Sequence, residues 1–341
     1  MRRPGERWAV SAATLLVIVA AVSAILIAGG YDTSRALTAL WNGAFGSPYA
    51  VLSATLVRAT PLLFVGLAVG LAFRAGVLNI GAEGQLLAGA TTAAAVGLFL
   101  GGFPRPLALP VVLIAGAAAG SAWAGVAAWL KQQFGVLEVI STLMLNFVAA
   151  YMVSWAVRGP LQEPTHVYPQ TVELADAVRL PALFAGHRLH LGFLLGLALA
   201  VALWWFLMHT AAGFRVRAVG AGASAARSAG GINAARTATL VFVASGALAG
   251  LGGASEVTGV TFSLYEGISP GYGYSAIAVA LLARLHPLAI VATALLFGAL
   301  ESGASAMQRD ANVPSVIATV IEALVVLGVL ALDHARASRE S

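Results

Sequence analysis

Apolar residues recur along this chain in long blocks, not in the alternating pattern of strands. Stretches of roughly 20 apolar residues are long enough to cross a bilayer as helices. Ten can be read: Ala9–Ala28, Tyr49–Phe73, Glu83–Leu100, Leu107–Leu130, Leu137–Val157, Leu191–Met208, Thr237–Val257, Gly273–Leu285, Leu288–Met307 and Pro314–Leu332. The eighth is short enough for a half-helix, so the count runs from eight to ten. The fold class is all-α and polytopic, a single transmembrane domain over residues 1–341. A transmembrane β-barrel would show short alternating segments instead.

Polar residues interrupt the blocks at two places. Arg74-Ala-Gly-Val-Leu-Asn79-Ile-Gly-Ala-Glu83-Gly-Gln85 separates the second and third spans. Lipid offers no hydrogen-bond partner, so such a segment must be buried in protein or border a water-filled path. Gly76, Gly81 and Gly84 can break the helix there. Asn79 and Gln85 each donate and accept, which suits a neutral polar solute. Glu83 is read either beside that route or in an ion pair with Arg74. The second interruption is Glu138-Val-Ile-Ser141-Thr142-Leu-Met-Leu-Asn146, where Glu138, Ser141, Thr142 and Asn146 share one helical face. Two roles fit both segments: a solute path or gate, and a purely structural polar joint.

Charge orients the chain. With the N-terminus inside, Arg2, Arg3, Arg7, Arg74, Lys131, Arg215, Arg217, Arg227, Arg236, Arg284, Arg336 and Arg339 fall on the cytoplasmic side. Arg35, Arg58, Arg105, Arg158, Arg179, Arg188 and Arg309 fall outside. Twelve against seven favours cytoplasmic N- and C-termini and an even number of spans. Net charge is +5 and only 10% of residues are charged, so the positive balance reflects orientation, not nucleic-acid binding. The first apolar run is too long for a usual signal peptide and no clear cleavage site follows.

Two loops are distinctive. The outer segment 158–190 is proline-rich and mixed in charge, long enough to cover the outer mouth or meet a partner. The inner segment 210–236 is basic, and its alanine-rich part predicts a short helix closed by Gly230-Gly231. Glycine pairs four apart (Gly66/Gly70, Gly97/Gly101, Gly116/Gly120, Gly192/Gly196 and Gly246/Gly250) predict tight helix crossings. Arg58, Glu301 and Glu322 sit inside spans, where pairing or snorkelling accounts for them and proton relay by buried carboxylates is the alternative. Phe64, Phe73, Phe147, Tyr151 and Trp155 read mainly as packing or interface residues, with stacking on a flat solute ring the sharper alternative.

Enzyme signatures are missing from the sequence. The only lysine, Lys131, follows Leu130, so there is no Walker A loop, and the six histidines form no HExxH arrangement. The chain holds no cysteine, which excludes thiolate metal sites. No cofactor or metal is expected.

Ala59-Thr-Pro-Leu-Leu63, Phe73-Arg-Ala-Gly-Val-Leu-Asn-Ile-Gly-Ala-Glu-Gly-Gln85, Glu138-Val-Ile-Ser-Thr-Leu-Met-Leu-Asn146 and Arg217-Ala-Val-Gly220 together resemble a known family. It comprises permease subunits of bacterial ABC importers of the ribose and branched-chain amino-acid transporter group, and within it the branch serving nucleosides. The resemblance runs from about Leu52 to nearly the end. It implies an ABC importer permease fold in the bacterial cytoplasmic membrane, a separate ABC ATPase subunit, a second permease subunit and an extracytoplasmic substrate-binding lipoprotein. The path residues it leaves as candidates are Asn79, Glu83, Gln85, Ser141, Thr142 and Asn146. It also implies that Ser224, Ala225, Ala226, Arg227, Ala229 and Gly230 form a coupling helix on the ATPase, although Gly222-Ala223 stand where the family often has Asn-Pro. Simple sugars and riboflavin-like compounds compete with nucleosides as substrate. An ion-coupled secondary transporter and a passive membrane scaffold are the readings from other classes.

Overall fold

The computed structural model describes residues 20–314 and, beyond them, 316–317, 319–320, 323–324 and 327–328. Arg2, Arg3, Arg7, Glu322, Arg336 and Arg339, most of the first expected span and most of the tenth lie outside the described residues. Eleven helices are named here in chain order: α1 (Thr33–Phe45), α2 (Pro48–Arg74), α3 (Ala82–Leu100), α4 (Arg105–Phe134), α5 (Glu138–Arg158), α6 (Leu191–His209), α7 (Ala211–Ala221), α8 (Ala223–Gly230), α9 (Ala234–Thr261), α10 (Tyr272–Leu282) and α11 (Pro287–Ala311). Seven of them (α2 to α6, α9 and α11) are long and apolar enough to cross a membrane. Each matches an expected span to within a few residues. The short eighth span is α10, 11 residues or about 16 Å long, half a hydrocarbon layer. Among the described residues the only β pairing is isolated antiparallel bridges.

The chain divides into two compact units, residues 1–58 with 296–341 and residues 59–295. In the first, α1 occupies a stretch to which apolar length alone assigned nothing. Asp32 caps it by accepting from the Arg35 amide at 3.0 Å. Gly43 of α1 meets Ala306 of α11, and the Ser302 hydroxyl donates to the Gly43 carbonyl at 2.7 Å. Arg58, expected to be paired, donates to the Ser305 hydroxyl at 3.2 Å.

In the second unit, α3, α4 and α9 cross with their backbones nearly in contact. A side chain on Gly89 would strike the Gly250 carbonyl, one on Gly120 the Gly246 carbonyl, and one on Gly253 the Leu86 carbonyl. Gly116 and Gly250 oppose each other in the same way. Both predicted pairs, Gly116/Gly120 and Gly246/Gly250, therefore meet at one crossing. Small residues are what let membrane helices approach this closely, because lipid supplies no hydrophobic drive between them. Gly66 and Gly70 instead receive Ile290, and Gly97 receives Leu174.

Segment 158–190, expected to lie on the outer side, is packed down. Leu174, Val178 and Leu180 are buried, and the amides of Thr171, Leu174 and Leu180 donate to the carbonyls of Leu264, Phe262 and Thr258. Arg158 clamps Glu266 with two hydrogen bonds of 2.7 and 2.8 Å.

The glycine crossing carries a direct test. Gly250→Ala should lower stability by about 2 kcal/mol, because overpacking cannot be relieved by a rotamer. Gly125 of α4 has nothing within 4 Å of where a side chain would go, so Gly125→Ala should be neutral or slightly stabilising. Thermal-unfolding midpoints in detergent compare the two; equal midpoints would disprove the packing argument.

Candidate functional site

Between α2 and α3 the chain leaves the helix for residues 75–81. At one end of this break the Arg74 guanidinium donates to the Leu285 carbonyl at 3.1 Å, just past the end of α10. At the other, the Gly273 amide in the first turn of α10 donates to the Glu83 carboxylate at 2.6 Å. The break thus runs alongside α10, and the amino ends of α3 and α10 converge on Glu83. The Ser269 hydroxyl accepts from the Tyr272 amide at 3.0 Å and bonds to the same carboxylate. The Glu83–Arg74 ion pair considered from the sequence does not form; each group has the partners just given.

Asn79 locks the break. Its amide nitrogen donates to Gln85 Oε1 at 2.9 Å and to the Ser245 hydroxyl of α9 at 2.8 Å. Its oxygen accepts from the Gly81 amide and from Gln85 Nε2, both at 3.0 Å. Ser245 in turn donates to the Ala68 carbonyl of α2 at 2.7 Å. Asn79 and Gln85 are 0% and 1% exposed, and all four hydrogen-bonding positions of Asn79 are used.

Asn146 ties α5 to the same place. Its oxygen accepts from the Gly84 amide at 2.8 Å, and its nitrogen donates to the Ile80 carbonyl at 2.9 Å and to Tyr274 Oη at 3.2 Å. Thr142 packs on Gly81, and the Ser141 and Thr142 hydroxyls return to the backbone of their own helix at Glu138 and Val139. The predicted polar face of α5 therefore points inward at Ser141, Thr142 and Asn146. Glu138 stands apart, in a 2.8 Å ion pair with Lys131. Of the aromatics, Phe64 is fully buried, whereas Phe147, Tyr151 and Trp155 form an exposed stripe on the opposite face of α5.

Sequence reading missed Tyr274 and Ser245. Both lie in apolar runs, and only the helix crossings bring them to the break. Tyr274 is 43% exposed, and its oxygen is an acceptor towards Asn146, which leaves the hydroxyl proton free to point outward. Trp123 of α4 adds a buried indole N–H beside Gly84 that pairs with no group among the described residues.

Segment 210–236, expected to lie on the inner side, holds two short helices. Thr210 caps α7 through the Gly213 amide at 2.9 Å. Gly231, at φ 60°, closes α8 as expected from the sequence, with its amide on the Arg227 carbonyl and that of Ile232 on Ala226. Ala226 faces inward against Val219 and Ala234, while Ser224, Ala225, Arg227 and Gly230 are exposed. Ala229 lies in the helix; its side chain lies outside the described residues. At the end of α7, Gly220 sits against the carbonyl of Arg74, and its Cα lies 3.6 Å from where a Gly76 side chain would be. Residues at the start of the break thus rest directly on α7.

Residues 51–330 match the family described as branched-chain amino acid transport system / permease component. The glucose ABC transporter permease protein of Haloferax volcanii is 35% identical, over 96% of this chain and 88% of its own length. The guanosine ABC transporter permease protein of Bacillus subtilis is 36% identical, over 92% and 90%. The nucleoside ABC transporter permease protein of Lactococcus lactis is 30% identical, over 88% and 85%. No solved structure matches the chain.

Two outcomes follow from this geometry. Asn79→Ala strands Gln85 and Ser245 in a buried setting and should cost about 3 kcal/mol, read as a lower unfolding midpoint. A second test concerns pH. Burial, with the Arg188 charge adding to it, holds His190 down at about 4 from 6.5. The unfolded chain therefore binds the proton first, and stability falls as pH drops from 6.5 through 4, by at most about 3 kcal/mol. The hydrogen bonds from Arg158 and Ser154 hold Glu266 at about 2, so its contribution is lost only between pH 4.5 and 2. Midpoints measured across pH should lose the upper window in His190→Asn and the lower one in Glu266→Gln. An unchanged profile in either variant would refute that assignment.

Proposed function

Since this chain belongs to the branched-chain amino acid transport system / permease component family, we propose that it is the membrane permease subunit of an ATP-binding cassette importer for nucleosides. The observation that carries this reading is the hydrogen-bonded break of residues 75–81, a non-helical backbone between two helices long enough to span a membrane. Such a backbone is tolerated where protein or a water-filled cavity replaces lipid, and it is the usual construction of a solute site inside a membrane. The chain performs no covalent chemistry in this reading. ATP is hydrolysed by a separate subunit, a second permease subunit completes the pore, and an extracytoplasmic receptor lipoprotein delivers the solute. The N- and C-termini face the cytoplasm.

The residues divide the work. Asn79 and Gln85, fully engaged with each other, hold the wall of the route. Glu83, Ser141, Thr142 and Asn146 border it, and Tyr274 presents a donor hydroxyl and a ring face to a flat, neutral solute. On the cytoplasmic side, Ser224, Ala225, Ala226, Arg227, Ala229 and Gly230 dock on the ATPase. A push on α8 passes through α7 to Gly220, which rests on Arg74. It then shifts the break between outward-open and inward-open arrangements. The guanosine and nucleoside permeases among the relatives support nucleosides as cargo; the glucose permease of Haloferax volcanii supports a sugar as the second reading.

Uptake of labelled guanosine by the assembled transporter tests the proposal. Unlabelled nucleosides should compete and ribose and glucose should not; the reverse pattern would overturn the substrate assignment. Arg227→Glu should cut uptake at least tenfold while membrane insertion is unchanged, and full uptake would remove α8 from the coupling role. Tyr274→Phe, which loses the hydrogen bond from Asn146 as well as the one offered to the solute, should raise KM about fivefold with little effect on kcat.

A further inference from the structure

One cavity within residues 59–295 lies away from the break. It lies beside α7 and the start of α9 and measures about 730 Å³. Leu71, Phe206, Leu240, Val241 and Ala244 form its apolar walls. Arg215, Asn233, Arg236 and Thr237 stand at its polar end. Arg236, Leu240 and Ala244 are four apart on one face of α9, so the lining runs about 12 Å along that helix from charge into hydrocarbon. Leu71 and Phe206 each sit about one turn inside the ends of α2 and α6. One end of the cavity is thus level with the helix termini and the other lies at the depth of acyl chains.

The polar end carries uncompensated positive charge. Residues 210–236 contain four arginines and no acid. Arg217 is engaged with the Leu207 carbonyl and the Met208 sulfur. Arg215 and Arg236 are exposed, and neither guanidinium has a hydrogen bond or ion pair among the described residues. Two guanidinium forks above an apolar cleft match an anionic head joined to a hydrocarbon chain. A segment of a soluble subunit is the less suited occupant of the apolar end, because Ala244 lies ten residues, about 15 Å, inside the end of α9.

We propose that this cavity is a binding site for an anionic phospholipid. Arg215 and Arg236 take the phosphate, and one acyl chain lies along α9 between α2 and α6. The site needs only the membrane and does not depend on the transport reading. Occupied, it would wedge α7 against α9 beside Gly220 and the start of the break, and so would stiffen the contact through which the coupling segment acts.

Native mass spectrometry of the purified full chain in mild detergent tests this without any transport assay. Dioleoylphosphatidylglycerol should be retained at least tenfold more tightly than dioleoylphosphatidylcholine. Arg215→Gln with Arg236→Gln should weaken phosphatidylglycerol about 25-fold, at about fivefold per arginine, and leave phosphatidylcholine unchanged. Ala244→Phe, at an exposed position that folding tolerates, should weaken phosphatidylglycerol about tenfold with both arginines in place. Equal retention of the two lipids, or no effect of the double variant, would overturn the site. Equal competition by glycerol 3-phosphate would reduce it to a phosphate site without a chain. Retention of lipid that vanishes only when the ATPase subunit is added would reassign the two arginines to protein docking.

Discussion

Everything in the larger unit depends on the contact between the backbones of α3, α4 and α9. Gly89, Gly116, Gly120, Gly246, Gly250 and Gly253 bring three helices to the distance at which carbonyl oxygens nearly touch the opposing chain. In water, burying large side chains would be the stronger device. In lipid that drive is gone, and close packing with small residues replaces it. The crossing has a consequence one turn away. Ser245, immediately before Gly246, is carried to within 2.8 Å of Asn79. A wider crossing would leave that asparagine short of its fourth hydrogen bond.

The break between α2 and α3 survives because its polar groups are answered. Asn79, Gln85, Asn146, Ser245 and Tyr274 form hydrogen bonds spanning α2, α3, α5, α9 and α10. A partly satisfied network would be worse than an apolar one at this depth. Saturation also separates roles that the sequence left joined. Asn79 has no capacity left for a solute, whereas Tyr274 keeps a donor and an exposed ring. Glu83, facing two helix amino ends, is stabilised by amide donors and helix dipoles without a cation.

How much was legible in the sequence follows from what each signal measures. The seven long helices were, because about 20 apolar residues is a length condition set by the bilayer. The inward face of α5 was, because 141, 142 and 146 obey helical spacing. The closure of α8 at Gly231 was, because only a left-handed residue ends a helix in that way without strain. The short helix α1 was not, since its 13 residues fall below any spanning length and only Asp32 marks its start. Tyr274 and Ser245 were not, since a polar residue alone in an apolar run carries no mark of which neighbour it meets. The Glu83–Arg74 pairing failed for a related reason: nine residues look close in sequence, but the break between them is irregular, and the two charges stand at opposite ends of α10.

In the proposed mechanism that irregular link would give segment 210–236 its leverage. A helical link between Arg74 and Ala82 would be rigid along its axis, and pressure from Gly220 would translate α2 and α3 together. The link at residues 75–81 is turned and irregular, held by hydrogen bonds at its start, by Asn79 in the middle and by Asn146 at Ile80. Gly76, at φ 75°, stands beside Gly220 in a conformation that other residues adopt reluctantly. A displacement of α7 can therefore be absorbed at Gly76 while the Asn79–Gln85–Ser245 lock stays closed, or be passed through it when the lock rotates with α3. In the proposed mechanism the amide lock and the glycine beneath it would set how much of a movement of α7 reaches Glu83 and Tyr274. The fold spends its close packing around this one joint, and leaves the joint itself held by hydrogen bonds that can be exchanged.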